Sequence, residues 1–223
     1  MIRTVSNLLL ILVSLTTAVL SYPYLPENVP MHWNINGQVD NYEPKERAVF
    51  FMPSLVIVMW VLFWVLPKID PKKDKYKLFL PEWLSLQTIF LGFFVYLQLL
   101  TIYTSINPKF DFMSLMFVGM GLMFFAIGNF LPKIRQNYFL GIKIPWTLTN
   151  ENNWNKTHRF GGWCFMLSGM MLIVQGMLKI FFPALVFWVL MVMMFLPIVY
   201  SYSIFLKTGK DETSKRLRKP TDS

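Results

Sequence analysis

The sequence predicts an all-α integral membrane protein: six transmembrane helices, both ends on the cytoplasmic side. Three observations carry this. Long apolar runs are free of charge, only 15% of the 223 residues are charged while 55% are hydrophobic, and the lysines and arginines fall on alternate connections. Uncharged runs of about 18 or more residues read as membrane-crossing helices. In lipid the backbone must satisfy its own hydrogen bonds, so such runs fold as helices. The spans are expected at about 5–22, 49–66, 83–106, 112–131, 163–182 and 184–206, with Pro197 kinking the last.

The first run follows Arg3 and has the length of a signal peptide, but it is read as a retained helix. Seventeen of the twenty-one basic residues lie on one side. They are Arg3, the lysines between 68 and 77, five between 133 and 159, and six in the tail from Lys207 to Lys219. Lys45, Arg47, Lys109 and Lys179 occupy the other side. This asymmetry assigns the richer side, with the 132–161 loop, to the cytoplasm, and the 23–48 loop to the outside. The net charge of +9 is therefore a topology signal rather than a nucleic-acid signal. Contact of the basic tail with anionic membrane lipids is a secondary reading.

In the outer loop, Pro23, Pro26 and Pro30 stiffen the start. Asn36-Gly37 is a turn signal, and Met31, Trp33 and Ile35 alternate before it, so a short hairpin near the headgroups is expected. His32 with Asp40 or Glu43 is too small a donor set for a metal site, so none is expected. In the inner loop, Thr149 or Asn150 is placed to cap a short interfacial helix ending near Phe160 and turning into the fifth span. Trp154 and His158, four apart, share a face, and His158 is read as an interfacial hydrogen-bonder rather than a pH sensor. Trp146, Trp154 and Trp163 suit the membrane boundary.

Gly121 and Gly128 in the fourth span, and Gly162, Gly169 and Gly176 in the fifth, recur every seven residues, close to two helical turns. Small residues on one face let helices approach closely, so these two spans are expected to pack as a tight hairpin. Lone Cys164 forms no internal disulfide. No charged residue sits near the centre of a span, which argues against ion-coupled transport. The chain lacks the nucleophile elbow, paired acids, Walker loop and zinc-binding spacings, so no catalytic residue, cofactor or enzymatic activity is expected.

The stretch "GNFLPKIRQNYFLGIKIPWTLTNENNWNKTHRFGG", 128–162, resembles the signature of the Sdp-type immunity proteins, the SdpI family. The matching positions are Asn137, Gly141, Ile142, Lys143, Pro145, Trp146, Thr147, Leu148, Trp154, Thr157, His158 and Arg159. Lys143 stands where many members carry Arg, which keeps the charge and loses the bidentate fork. The outer loop resembles the domain DUF1648, with Leu25, Pro26, Pro30, His32, Trp33, Gly37, Asp40 and Lys45 in the pattern. The chain is thus read as one membrane domain: a DUF1648-like helix pair over 5–66, SdpI-like helices over 112–206, and a basic tail over 207–223. The resemblance implies protection of a Gram-positive bacterium against a secreted peptide toxin. It also implies a receptor role, in which a soluble winged-helix repressor is held at the membrane. On that reading Pro30, His32, Trp33, Gly37, Asp40 and Lys45 face the toxin. Asn137, Gly141, Pro145, Trp146, Thr147, Trp154, Thr157, His158 and Arg159 form a cytoplasmic signalling surface. The rival readings are a transporter or channel for a solute, lipid or peptide, and a membrane scaffold.

Overall fold

The computed structural model describes residues 2–217; Met1, Arg218, Lys219 and the four residues that follow lie outside them, and with them the end of the basic tail. Among these residues, seven α-helices and one hairpin make the fold. They are α1 (Ile2–Ser21), β1 (Asn28–Trp33), β2 (Val39–Pro44), α2 (Lys45–Ile69), α3 (Leu80–Ile106), α4 (Phe112–Phe130), α5 (Pro145–Thr149), α6 (Glu151–Leu178) and α7 (Pro183–Leu217). All but α5 are long and apolar enough to cross a membrane, which gives six spans. Their outward residues are large and apolar: Trp188 and Val199 are each 65% exposed. These surfaces meet lipid tails rather than water.

The first three helices form one bundle, joined by the few polar side chains their apolar faces carry. The Ser14 hydroxyl donates to Gln98 Oε1, and Gln98 Nε2 donates to the Ser14 carbonyl at 2.8 Å. Thr88 donates to the buried Asn7 at 2.8 Å. Pro67 inside α2 has no N–H for the carbonyl of Phe63 one turn earlier, and the indole N–H of Trp83 on α3 donates to it instead, at 3.1 Å. Trp83 lies in a buried cluster with Phe63, Tyr76, Phe79, Leu131, Ile134 and Trp154, the main core of the protein.

The second bundle is built on α4 and α6, which pack antiparallel along the glycine repeat. A Cβ on Gly128 would lie 2.6 Å from the Gly162 carbonyl oxygen, and one on Gly162 would lie 2.7 Å from that of Gly128. Gly121 and Gly169 repeat the arrangement at 2.6 Å each way, and Gly176 faces the Ser114 carbonyl at 2.5 Å. The seven-residue spacing is therefore a backbone-to-backbone contact with no room for a methyl group. Tyr96 of α3 joins this pair to the first bundle, its hydroxyl donating to the Leu115 carbonyl at 2.6 Å. α7 lies against α6, and its helix continues through Pro197.

Two expectations change. The helix capped by Asn150, whose side chain accepts from the Asn153 N–H, does not stop near Phe160. It runs without a break from Glu151 to Leu178 as the fifth span, and the short helix is α5, before it. The fifth span also ends earlier than 182: Lys179 takes a left-handed conformation (φ 52°), and the Gln175 side chain accepts from the Phe181 N–H and donates to its carbonyl. The buried polar groups in the first half of α6 are satisfied inside the protein, so the helix continues through them. Asn153 donates to the Ser201 carbonyl of α7 at 3.0 Å and accepts from the hydroxyls of Ser201 and Thr157.

Candidate functional site

The two ends of the bundle differ in charge. The lysines at 68–77 and the cations at 133–159 share one end with the 131–150 loop, while Lys45, Arg47, Lys109 and Lys179 share the hairpin end.

At the cation-rich end the signature residues close on one another. Asn137 is fully buried and organises its own loop. Its amide donates to the carbonyls of Arg135 and Leu140, and its oxygen accepts from the N–H groups of Phe139 and Leu140. The loop is fastened to the end of α2 by Asp70, which is 2% exposed. Its carboxylate accepts from the Lys72 N–H (2.7 Å), the Tyr76 hydroxyl (2.9 Å) and the Tyr138 N–H (2.9 Å). Three donors offset the cost of burying a carboxylate, which is otherwise several kcal/mol. Burial and the Asp70 hydrogen bond push the Tyr76 phenol far above its ordinary pKa, so it is a fixed donor. Lys72 reaches across to Gln136 Oε1 and the Leu148 carbonyl; burial, with Lys75 nearby, pulls its ammonium below the ordinary lysine value. Gln136 in turn donates to the carbonyls of Thr147 and Leu148, which holds the end of α5.

Gly141 is the pivot. Its φ is +121°, a backbone state that favours glycine, and a Cβ there would lie 2.3 Å from His158 Nε2. That close approach lets His158 Nε2 accept from the Ile142 N–H at 3.0 Å while Nδ1 donates to the Trp154 carbonyl at 2.8 Å. Both ring nitrogens are committed, which defines a neutral imidazole. The ring stacks on Trp154 at 3.9 Å, and the Trp154 indole donates to the Ile134 carbonyl at 2.8 Å. Trp154 is thus fully buried among protein groups, whereas Trp163 is 61% exposed. Thr147 turns back to accept from the Ile144 N–H, and Trp146 packs α5 against Tyr202 and Phe205 of α7.

Of the nine residues expected to form a signalling surface, Asn137, Thr147, Trp154, Thr157 and His158 are buried, Gly141 and Trp146 are half-buried, and Pro145 and Arg159 are exposed. Asp70, Tyr76, Gln136, Asn153 and Ser201 complete the arrangement and were not singled out from the sequence. Asp70 and Tyr76 lie in a lysine-rich turn, where an acid reads as solvated.

At the other end β1 and β2 pair antiparallel, from Asn28 opposite Pro44 to Trp33 opposite Val39. The turn forms at Asn36-Gly37: Asn34 Oδ1 accepts from the N–H groups of Asn36 and Gln38, and Gly37 has φ +79°. The hairpin leans on α4. Trp33 stacks on Phe112 with centroids 3.6 Å apart and planes 4° apart, and a Cβ on Gly37 would meet Met113 at 2.8 Å. Asp111 caps α4 by accepting from Ser114 and also pairs with Lys179 at the end of α6. A cavity of about 370 Å³ opens among Trp33, Asn36, Phe112, Phe117, Gln175 and Lys179. Of the outer candidates, Pro30 is buried, Trp33, Gly37 and Lys45 are half-buried, and His32 and Asp40 are exposed and paired at 2.5 Å. Lys45 bonds to Glu27 at 2.8 Å. Among the described residues no group of three potential metal ligands is assembled.

Residues 133–201 match the SdpI/YfhL protein family, and residues 9–57 match the domain of unknown function DUF1648. Over 199 residues the chain is 25% identical to "Immunity protein SdpI" of Bacillus subtilis (strain 168), covering 89% of this chain and 92% of that protein. No solved structure matches. The first match spans the buried clamp around Gly141 and His158, and the second spans the hairpin. The protein is a multi-pass membrane protein, one segment of which matches DUF1648 and another the SdpI/YfhL family.

Proposed function

We propose that this chain is a membrane immunity protein protecting its host cell against a secreted antimicrobial peptide. The match to an immunity protein along 89% of the chain carries the reading. The cation-rich end faces the cytoplasm, in keeping with the positive-inside rule. The hairpin end then faces outward, and the peptide engages it where Trp33, Phe112 and the cavity beside Lys179 offer apolar and polar contacts together. The role is binding rather than catalysis.

A receptor function extends this reading. Pro145 and Arg159 are exposed beside the buried clamp, as are Lys143 and Arg135, and together they present a basic face to a soluble repressor. Signalling requires the toxin to favour one of two arrangements of α4 and α6, since a ligand shifts an equilibrium only by its differential affinity. The test is expression in a toxin-sensitive cell followed by challenge with the peptide. Survival should rise over empty vector, and Trp33→Ala should reduce protection while protein levels in the membrane hold. Absence of any survival gain from a well-inserted protein removes the immunity reading. Failure to recover a winged-helix repressor with the toxin-loaded protein removes only the receptor extension.

A further inference from the structure

A groove of about 690 Å³ runs between α6 and α7 at the cation-rich end. Lys156 and Arg159 line it from α6, and Lys207 lines it from α7. Among the residues whose side chains are described, no acid lines the groove and none of these three cations makes an ion pair. Three cations lining one concave site repel one another and are stabilised by an anion placed between them.

The surroundings identify which kind of anion. Trp163, on the same face as Arg159 and four residues on, is 61% exposed, as an indole at the headgroup level is. Phe160 and Tyr200 form the floor, with ring centroids 4.7 Å apart. Ser203 and Thr208 also line the wall, their hydroxyls donating to the Tyr200 and Ile204 carbonyls of α7. Deeper along the same helical faces stand Leu167 and Leu196, four residues from Trp163 and Tyr200 and both exposed. A phosphate between the three cations would leave its attached chains lying on an apolar seam. We infer that this groove binds the phosphate of an anionic phospholipid headgroup, with the acyl chains along the α6–α7 seam. Basic pockets between spans on the cytoplasmic side are suited to such headgroups. The inference does not rest on the immunity reading, because the groove lies at the end opposite the hairpin, and with the basic face proposed for a repressor it shares only Arg159.

The test is native mass spectrometry of the full chain in detergent, titrated with phosphatidylglycerol, with phosphatidylcholine of the same chains, and with inorganic phosphate. Phosphatidylglycerol should bind tightest, and added salt should weaken it. Each of Lys156→Gln, Arg159→Gln and Lys207→Gln should lower its affinity roughly fivefold. The Lys77→Gln control, an exposed cation on the same side outside the groove, should leave it unchanged. Equal retention of the two lipids by the unmodified protein overturns the inference without recourse to any variant. So does a Lys207→Gln protein that melts normally and keeps full affinity. Inorganic phosphate binding as tightly as the lipid overturns the lipid assignment.

Discussion

At the scale of single residues, the signature is a set of side chains that satisfy one another's backbone. Gly141 brings its chain to within van der Waals overlap of where a methyl group would strike His158. Gly141→Ala therefore carries both steric overlap and left-handed strain, and should cost about 1–3 kcal/mol, read as a lowered melting temperature in detergent. His158→Phe keeps a ring against Trp154 but leaves the Ile142 N–H without its acceptor. That change should also cost about 1–3 kcal/mol, and nitrogen NMR of the parent should show the Nδ1-protonated neutral tautomer. Asp70→Ala strips acceptors from two backbone N–H groups and the Tyr76 hydroxyl. It should destabilise at least as much as either. Loss of function in variants of these buried residues reports on the clamp, so a docking partner is better sought through Pro145, Lys143 and Arg159. From the sequence, Trp154 and His158 were legible as a pair because four-residue spacing places them on one face. Their burial was not, because an aromatic and a histidine at a span boundary read equally well as interfacial. Asp70 was invisible for a related reason: nothing in a run of lysines distinguishes a carboxylate facing water from one facing three donors.

At the scale of elements, α4 and α6 behave as one body. Carbonyl meets glycine at Gly121/Gly169, Gly128/Gly162 and Gly176, and Gly121→Val or Gly169→Val would force the helices apart. Overpacking of this kind costs about 1–3 kcal/mol or more, and should appear as lowered thermal stability together with faster proteolysis of the 131–150 loop. The hairpin end of the pair is fastened by Asp111 and Lys179. Although burial works the other way, hydrogen bonds from Lys179 and Ser114 hold the Asp111 carboxyl below the usual carboxylate range. A depressed carboxyl contributes stability that is fully present above its ordinary pKa and lost as pH falls through the lowered value. Melting temperature should thus drop in that acid window, and Asp111→Asn should remove this part of the dependence. The glycine repeat was readable because spacing alone encodes a face. The straight course of α6 was not. Its first turns are rich in Asn, Lys and Thr, and only the contact with Ser201 of α7 shows why they remain helical on the way into the span.

At the scale of the whole molecule, six spans follow from run length and charge alone, because lipid permits little else for uncharged backbone. Orientation is testable by labelling. In a Cys164→Ser background, a cysteine at Asn36 should react with an impermeant maleimide in intact cells, and one at Lys143 should react only after permeabilisation. The reverse pattern would place the hairpin inside the cell and remove the proposed route from toxin to clamp. Between those two faces stand α4 and α6, whose backbones touch at the glycine positions. Where backbone rests on backbone, little room is left for one helix to slide past the other, so a displacement of either is shared by both.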